Sequence, residues 1–343
     1  MKPLLIEHLE GKNQGRFPVW MMRQAGRYLA SYRSIRQQHS FWEMVTTPSL
    51  ASEVSLLPLE TLPLDAVIFF SDILTLPFGL GLPIEMRESI GPFLEKPLRS
   101  ISDFEVFETF DSEKHTGFVG EALRDIKRKI EPSIALLGFA GAPWTVASYL
   151  IEGRSNRHFE NIKSWLYREP SQLFKALDRL TGATVDYLKM QAISGVNAVQ
   201  IFDTWLCEMP RKTFVELYVP LLNQIFDELR KEGIKLIYFA KGASHVLPDF
   251  RNLRCDVLSV DSLIDLPEVD KLTGGQFSLQ GNLDPILLLK ADAGTVRKHT
   301  RSIVQQARWL SKPAIMNLGH GILPQTPVEN AKAFVEEARA LWV

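Results

Sequence analysis

The chain has 343 residues, 45% hydrophobic and 23% charged, ordinary globular proportions that exclude disorder, collagen and coiled coil. Thirty-nine basic side chains face 40 acidic ones, so the net charge of −1 gives no global field for nucleic acid, and an anionic ligand needs a local cluster. At about 150 residues per domain the length is nominally two domains, although α/β barrels run well past that as one.

The opening stretch, MKPLLIEHLEGK, carries Glu7 and Glu10 where a signal peptide needs its apolar core, and it is not Arg/Ser-rich like a transit peptide. Cys207 and Cys255 make no disulfide framework and fit a reducing compartment, which points to the cytoplasm. Residues 1–40 hold seven Lys/Arg against Glu7 and Glu10, whereas residues 41–110 hold eleven acids and three bases. Charge alone reads both as solvated faces. Within the basic head, PVWMMRQAGRYL (18–29) sets Arg23 and Arg27 four apart. A helix there would put both guanidiniums on one face, suited to carboxylates or phosphates through bidentate forks. From spacing alone, two solvated arginines are the commoner outcome. Gly26 would let backbone N–H groups join anion binding.

Short apolar runs rich in β-branched and aromatic residues recur: AVIFF (66–70), IALLGF (134–139), AVQIF (198–202), KLIYF (235–239), DVLSV (256–260), QFSLQ (276–280) and AIMNL (314–318). Amphipathic stretches such as EALRDIKRKI and AKAFVEEARALW lie between most of them. Alternating β and α segments predict parallel strands with right-handed crossovers. With an eighth strand between Pro83 and Leu98 or near the N-terminus, the expected architecture is a single (β/α)8 TIM barrel over residues 1–343, its cleft at the C-terminal strand ends. Residues 132–151 lack formal charge over a bilayer-spanning length, but their Gly/Pro turn predicts a buried strand, loop and helix instead.

The strand ends carry polar and glycine residues: Asp72, GFAGAPWT (138–145), Asp203 and Thr204, Lys241 and His245, Asp261, QGNLDP (280–285) and NLGHG (317–321). Asp72 sits where a barrel keeps catalytic carboxylates, although for a lone Asp a helix N-cap is the commoner explanation. Tyr149 would be a hydroxyl donor at the mouth, or a core aromatic with Trp144. Thr204 and His320, taken singly, are more often structural. There is no GxGxxG after a strand, no GxxxxGK[ST], no HExxH, no CxxC and no GxSxG, so nucleotide, nicotinamide, zinc and simple hydrolase readings lose their usual support.

Taken together, PVWMMRQAGR (18–27), FSDIL (70–74), GFAGAPWTVASYLIEG (138–153), QIFDTW (200–205), QGNLDP (280–285) and NLGHGI (317–322) resemble the uroporphyrinogen decarboxylase family, in the family's order and almost end to end. One departure is Leu206-Cys207-Glu208-Met209, where the family runs on with small residues; at position 204 the family varies between Ser and Thr. The resemblance implies removal of the four acetate carboxyls of uroporphyrinogen III, giving coproporphyrinogen III and four CO2 without metal or organic cofactor. It implies Asp72, Arg23 and Tyr149 as catalytic residues, and Arg23, Gln24, Ala25, Gly26, Arg27, Asp72, Tyr149, Phe202, Thr204 and His320 as substrate-binding. It further implies a homodimer, with no nucleic acid or membrane as partner. Two alternatives are a corrinoid-linked methyltransferase of the same superfamily, disfavoured because AKGA and NLGHG lack thiols, and a non-catalytic tetrapyrrole-binding protein.

Overall fold

The computed structural model describes residues 2–12, 15–87, 91–156 and 158–340. Nine strands form: β1 (Ala66–Ile68), β2 (Ile84–Arg87), β3 (Gly91–Leu94), β4 (Ala135–Gly141), β5 (Ala198–Asp203), β6 (Lys235–Ala240), β7 (Val257–Val260), β8 (Ser278–Leu283) and β9 (Ile315–Leu318). Seven of them make one curled parallel sheet in the order β1-β4-β5-β6-β7-β8-β9. All seven expected apolar runs are therefore strands of this sheet. Their residues are buried almost without exception, as expected where both faces of a parallel sheet are covered.

The stretch 83–98 is different. It holds the antiparallel hairpin β2–β3, separate from the large sheet and tied to the end of the helix Pro143–Glu152 through Leu94 N–H donating to the Gly153 carbonyl at 2.7 Å. Residues 88–90, at the tip of that stretch, lie outside the described residues, as do 341–343 at the end of the last amphipathic run.

The N-terminal alternative fares better. Val19 makes a parallel bridge to Met316 of β9, with Met316 N–H donating to Pro18 at 2.9 Å and Trp20 N–H to Met316 at 3.2 Å. The same segment accepts at Val19 from Asp65 N–H (2.9 Å), just ahead of β1. One short segment thus contacts both edge strands, which otherwise expose unpaired backbone groups.

Between the strands the interior carries a polar layer. Trp20 Nε1 donates to Gln280 (2.9 Å), and Gln280 Nε2 donates to Gln200 (2.8 Å) and Ser259 (2.9 Å). Burying such groups without partners costs several kcal/mol by transfer estimates, roughly 2–7 each, so the layer fixes which residues face one another. On the outer face, Gln191 of the helix Pro170–Ile193 bonds both the N–H and the carbonyl of Phe139. Gly138 leaves room for it: a Cβ there would stand 2.2 Å from Gln191 Oε1.

The uncharged stretch 132–151 is β4 running into the helix Pro143–Glu152, with Pro143 at its first turn and Gly153 closing it at φ 80°. Among the described residues no helix is long and apolar enough to cross a membrane.

Candidate active site

The expected site residues sit in segments that follow residues 18–20 and the C-terminal ends of β1, β4, β5 and β9. The first carries Arg23. The helix that would have put Arg23 and Arg27 on one face does not form: residues 20–29 are turns and bends, and a helix begins only at Ala30. The reason lies in the pairing just described. Residues 18–20 are held extended by β9, so the chain must reverse afterwards, and Arg23 takes φ 61° at that reversal. The loop is pinned from both sides, with Met22 N–H donating to Asn317 Oδ1 (3.0 Å) and Ile322 N–H to the Met22 carbonyl (2.9 Å). Gln24 turns inward, accepting from Met21 N–H (3.2 Å) and donating to the Ala66 carbonyl (3.1 Å). Its side chain thus holds the loop, leaving Ala25 and Gly26, both partly exposed, at the surface of the turn.

Arg23 and Arg27 are exposed, and neither has a protein carboxylate within ion-pair distance among the described residues. The Arg23 side chain lies across Gly321 of the NLGHG turn, where a Cβ would come within 2.4 Å of its Cδ. Only glycine leaves that path open. Arg27 points its field elsewhere, towards Tyr32 beside Arg36.

Asp72 follows β1 by four residues. It does not cap the short helix Thr75–Gly79; Oδ1 accepts from Leu74 N–H at 2.9 Å in a local turn, and Oδ2 has no hydrogen bond among the described residues. Ser71 and Thr75 brace the turn through a 2.6 Å hydroxyl contact, and Tyr187 packs behind. Burial raises the Asp72 pKa, opposed by the Leu74 N–H and by Arg23.

Tyr149 is partly open, whereas Trp144, on the same helix, is fully buried. Burial first, and then the Asp72 charge, push the Tyr149 hydroxyl up to about 12, so it remains a donor. His320 lies beside Arg23 and Lys241; burial and those two cations press its pKa down to about 3, leaving a neutral imidazole. Its ring meets Phe239 edge-on at 6.0 Å, and Phe202 packs edge-on against Phe239 (5.8 Å) and Phe139 (5.6 Å). An aromatic floor therefore leads to His320. Thr204, just past β5, is partly exposed.

Fields and contacts thus join Arg23, Asp72, Tyr149 and His320 in one place, with Phe202 below. Two strand-end residues, Lys241 and Asp203, turn out to matter and carry no role in the sequence reading. Lys241, exposed after β6, faces His320 from the same strand face as Phe239. Asp203 is buried beneath the wall of the cleft. Position after an apolar run was the one signal available for either. Among the described residues, no group of three His, Cys, Asp or Glu is arranged to hold a metal ion.

A curled parallel sheet with one carboxylate and several cations converging at its C-terminal end defines an α/β enzyme acting on a polyanionic small molecule. A family model, "Uroporphyrinogen decarboxylase (URO-D)", matches residues 1–341. A uroporphyrinogen decarboxylase of Dictyostelium discoideum is 40% identical over 328 residues, covering 94% of this chain and 90% of its own. One from Gloeobacter violaceus is 38% identical over 341 residues, covering 98% and 97%. Among solved structures, a methyltransferase from Methanosarcina mazei shares the fold with a TM-score of 0.79 at 21% identity, covering 97% of this chain and 96% of its own. The chain belongs to the uroporphyrinogen decarboxylase family.

Proposed function

We propose that the cleft removes the four acetate carboxyls of uroporphyrinogen III, yielding coproporphyrinogen III and four CO2 in porphyrin and heme biosynthesis. The observation that carries this reading is the single under-bonded carboxylate of Asp72 set among Arg23, Tyr149 and neutral His320, in a chain matched end to end by the family.

The chemistry follows from the pyrrole. Losing CO2 leaves an electron pair that needs a sink. A proton added to the ring carbon between the nitrogen and the acetate-bearing carbon makes the ring that sink. The bond to the carboxyl carbon then breaks, its electrons enter the ring, and an exocyclic methylene forms. A proton on that methylene gives the methyl, and loss of the ring proton restores the pyrrole. Positive charge develops at the ring nitrogens, where the free Asp72 oxygen stabilises it while accepting pyrrole N–H bonds. Arg23 holds the reacting acetate; with a pKa above ~12 it is a poor acid, so its part is electrostatic. Tyr149, Thr204 and His320 hydrogen-bond the substrate rim, Phe202 lines the ring face, and the backbone of Ala25 and Gly26 with Arg27 meets outer carboxylates. Lys241 adds a further cation for them.

The segment 18–22 takes the eighth position of the sheet in this reading, making residues 1–343 one (β/α)8 barrel. The enzyme works as a cytoplasmic homodimer, a state that sedimentation at micromolar concentration tests. The activity test is chromatography of porphyrins after incubation with chemically reduced uroporphyrinogen III. Stepwise appearance of seven- to four-carboxyl products is expected; unchanged substrate with folded enzyme defeats the proposal.

A further inference from the structure

Beneath the Tyr149 wall lies a carboxylate that the mechanism does not use. Asp203, the last residue of β5, is fully buried and has no cation within ion-pair distance among the described residues. Three hydroxyls converge on it. Thr145 donates to Oδ1 at 2.6 Å, while Tyr218 and Tyr238 donate to Oδ2 at 2.9 and 2.8 Å. A buried charge satisfied only by hydroxyls is costly, and a neutral side chain would pack there at lower cost.

What the charge supplies is direction. A carboxylate only accepts, so each of the three hydroxyls must spend its proton on it. Their own oxygens are then left as acceptors, and two of them are used. Tyr218 accepts from Trp144 N–H at 3.1 Å, and Thr145 accepts from Trp205 N–H at 3.1 Å. Trp144 Nε1 in turn donates to the Trp205 carbonyl at 2.9 Å, so the Trp205 peptide is gripped at both ends. Tyr149 stands one helical turn beyond Thr145 and sets its ring edge-on to Trp205 at 5.9 Å. Thr204 lies between Asp203 and Trp205 in the chain.

We infer that Asp203 is a positioning residue, holding Tyr149 and Thr204 in register with bound substrate through the Thr145 and Trp205 contacts. The inference rests on the decarboxylase reading of the cleft. Asp203 touches no substrate, and the effect travels through two hydrogen bonds and one ring contact.

The test compares kcat and KM of four proteins on chemically reduced uroporphyrinogen III, with folded fraction set by thermal melting: the parent, Asp203→Asn, Thr145→Val and Thr145→Ser. Loss of a hydrogen bond to a charged group predicts roughly 10- to 100-fold lower kcat per folded molecule in Asp203→Asn, with KM changed less. Thr145→Val loses about 10-fold, and Thr145→Ser, which keeps the hydroxyl, recovers most of it. If Asp203→Asn fails to fold, the Thr145 pair decides. A kcat within twofold of the parent in folded Asp203→Asn or in Thr145→Val overturns the inference, as does equal loss in Thr145→Val and Thr145→Ser. Absence of turnover in the parent strikes the decarboxylase reading instead.

Discussion

Asp65 and Asp72 flank the same short strand, seven residues apart, and lead opposite lives. Asp65, at the N-terminal end of β1, is saturated. Arg16 forks onto both its oxygens at 2.6 and 2.7 Å, Arg339 adds a contact at 2.8 Å, and Val19 N–H one at 2.9 Å. Asp72, at the other end, keeps one backbone N–H and a free oxygen facing arginine without an ion pair. The first carboxylate ties the segment after Arg16 and the helix Val328–Arg339 to the sheet. The second is left unsatisfied so that a ligand can complete it. Two identical side chains flanking one strand thus differ in saturation by which end they occupy, and the proposed function assigns stability to the first and chemistry to the second.

The comparison breaks most visibly at Asp72. Asp72→Asn keeps an oxygen for Leu74 N–H, so thermal melting is expected to stay close to the parent while kcat on uroporphyrinogen III drops about 100- to 1000-fold, as for loss of a transition-state charge contact. Near-parent turnover would remove Asp72 from the reaction. Asp65→Ala is expected to do the reverse. Two partly buried guanidiniums lose their shared carboxylate, at a cost of about 2 kcal/mol in denaturant unfolding, with kcat of the folded fraction little changed. A smaller effect is expected at Arg27, exposed and unpaired: Arg27→Ala raises KM about 10-fold and leaves melting unaltered, and an unchanged KM would take Arg27 out of the site. The finest test is the acid limb of kcat/KM. Burial raises the folded Asp72 pKa, and only its anion serves the reaction, so activity is lost as pH falls through that raised value rather than near 4. Arg23 opposes the rise, so Arg23→Gln moves the limb to higher pH in whatever activity remains. His320, neutral down to about 3, contributes no limb between pH 5 and 8.

Much of this was legible in the sequence where the signal is local. Runs such as AVQIF and KLIYF carry their own strand preference and burial, and both became strands. Asp72 and His320 were legible as polar residues following such runs. The Arg23–Arg27 spacing left open whether a helix forms, because period is only a local cue, whereas the segment is held by a partner almost 300 residues away, Met316. Gln24 looked available for ligand, yet its amide goes to the Ala66 carbonyl, a contact invisible without the sheet. Asp203 was visible at its strand end, but its three hydroxyl partners lie 58 residues before and 15 and 35 after it. No spacing rule links such positions. The stretch 83–98 has strand composition and does form strands, but they pair with each other rather than with the large sheet.

The segment 18–22 has a consequence for how the molecule comes into being. Its bonds reach both Asp65, beside the first strand of the sheet, and Met316, in the last. Contacts of such sequence separation are slow to close, and a chain leaving the ribosome can close neither the Met316 nor the Ile322 contact until those residues have themselves been synthesised. Arg23 therefore waits, already synthesised but unplaced, while more than 290 later residues are added. Arg23 comes to its place near Asp72 in the same event that closes this seam, so a chain made only as far as β8 holds Asp72 without the arginine that the proposed reaction uses.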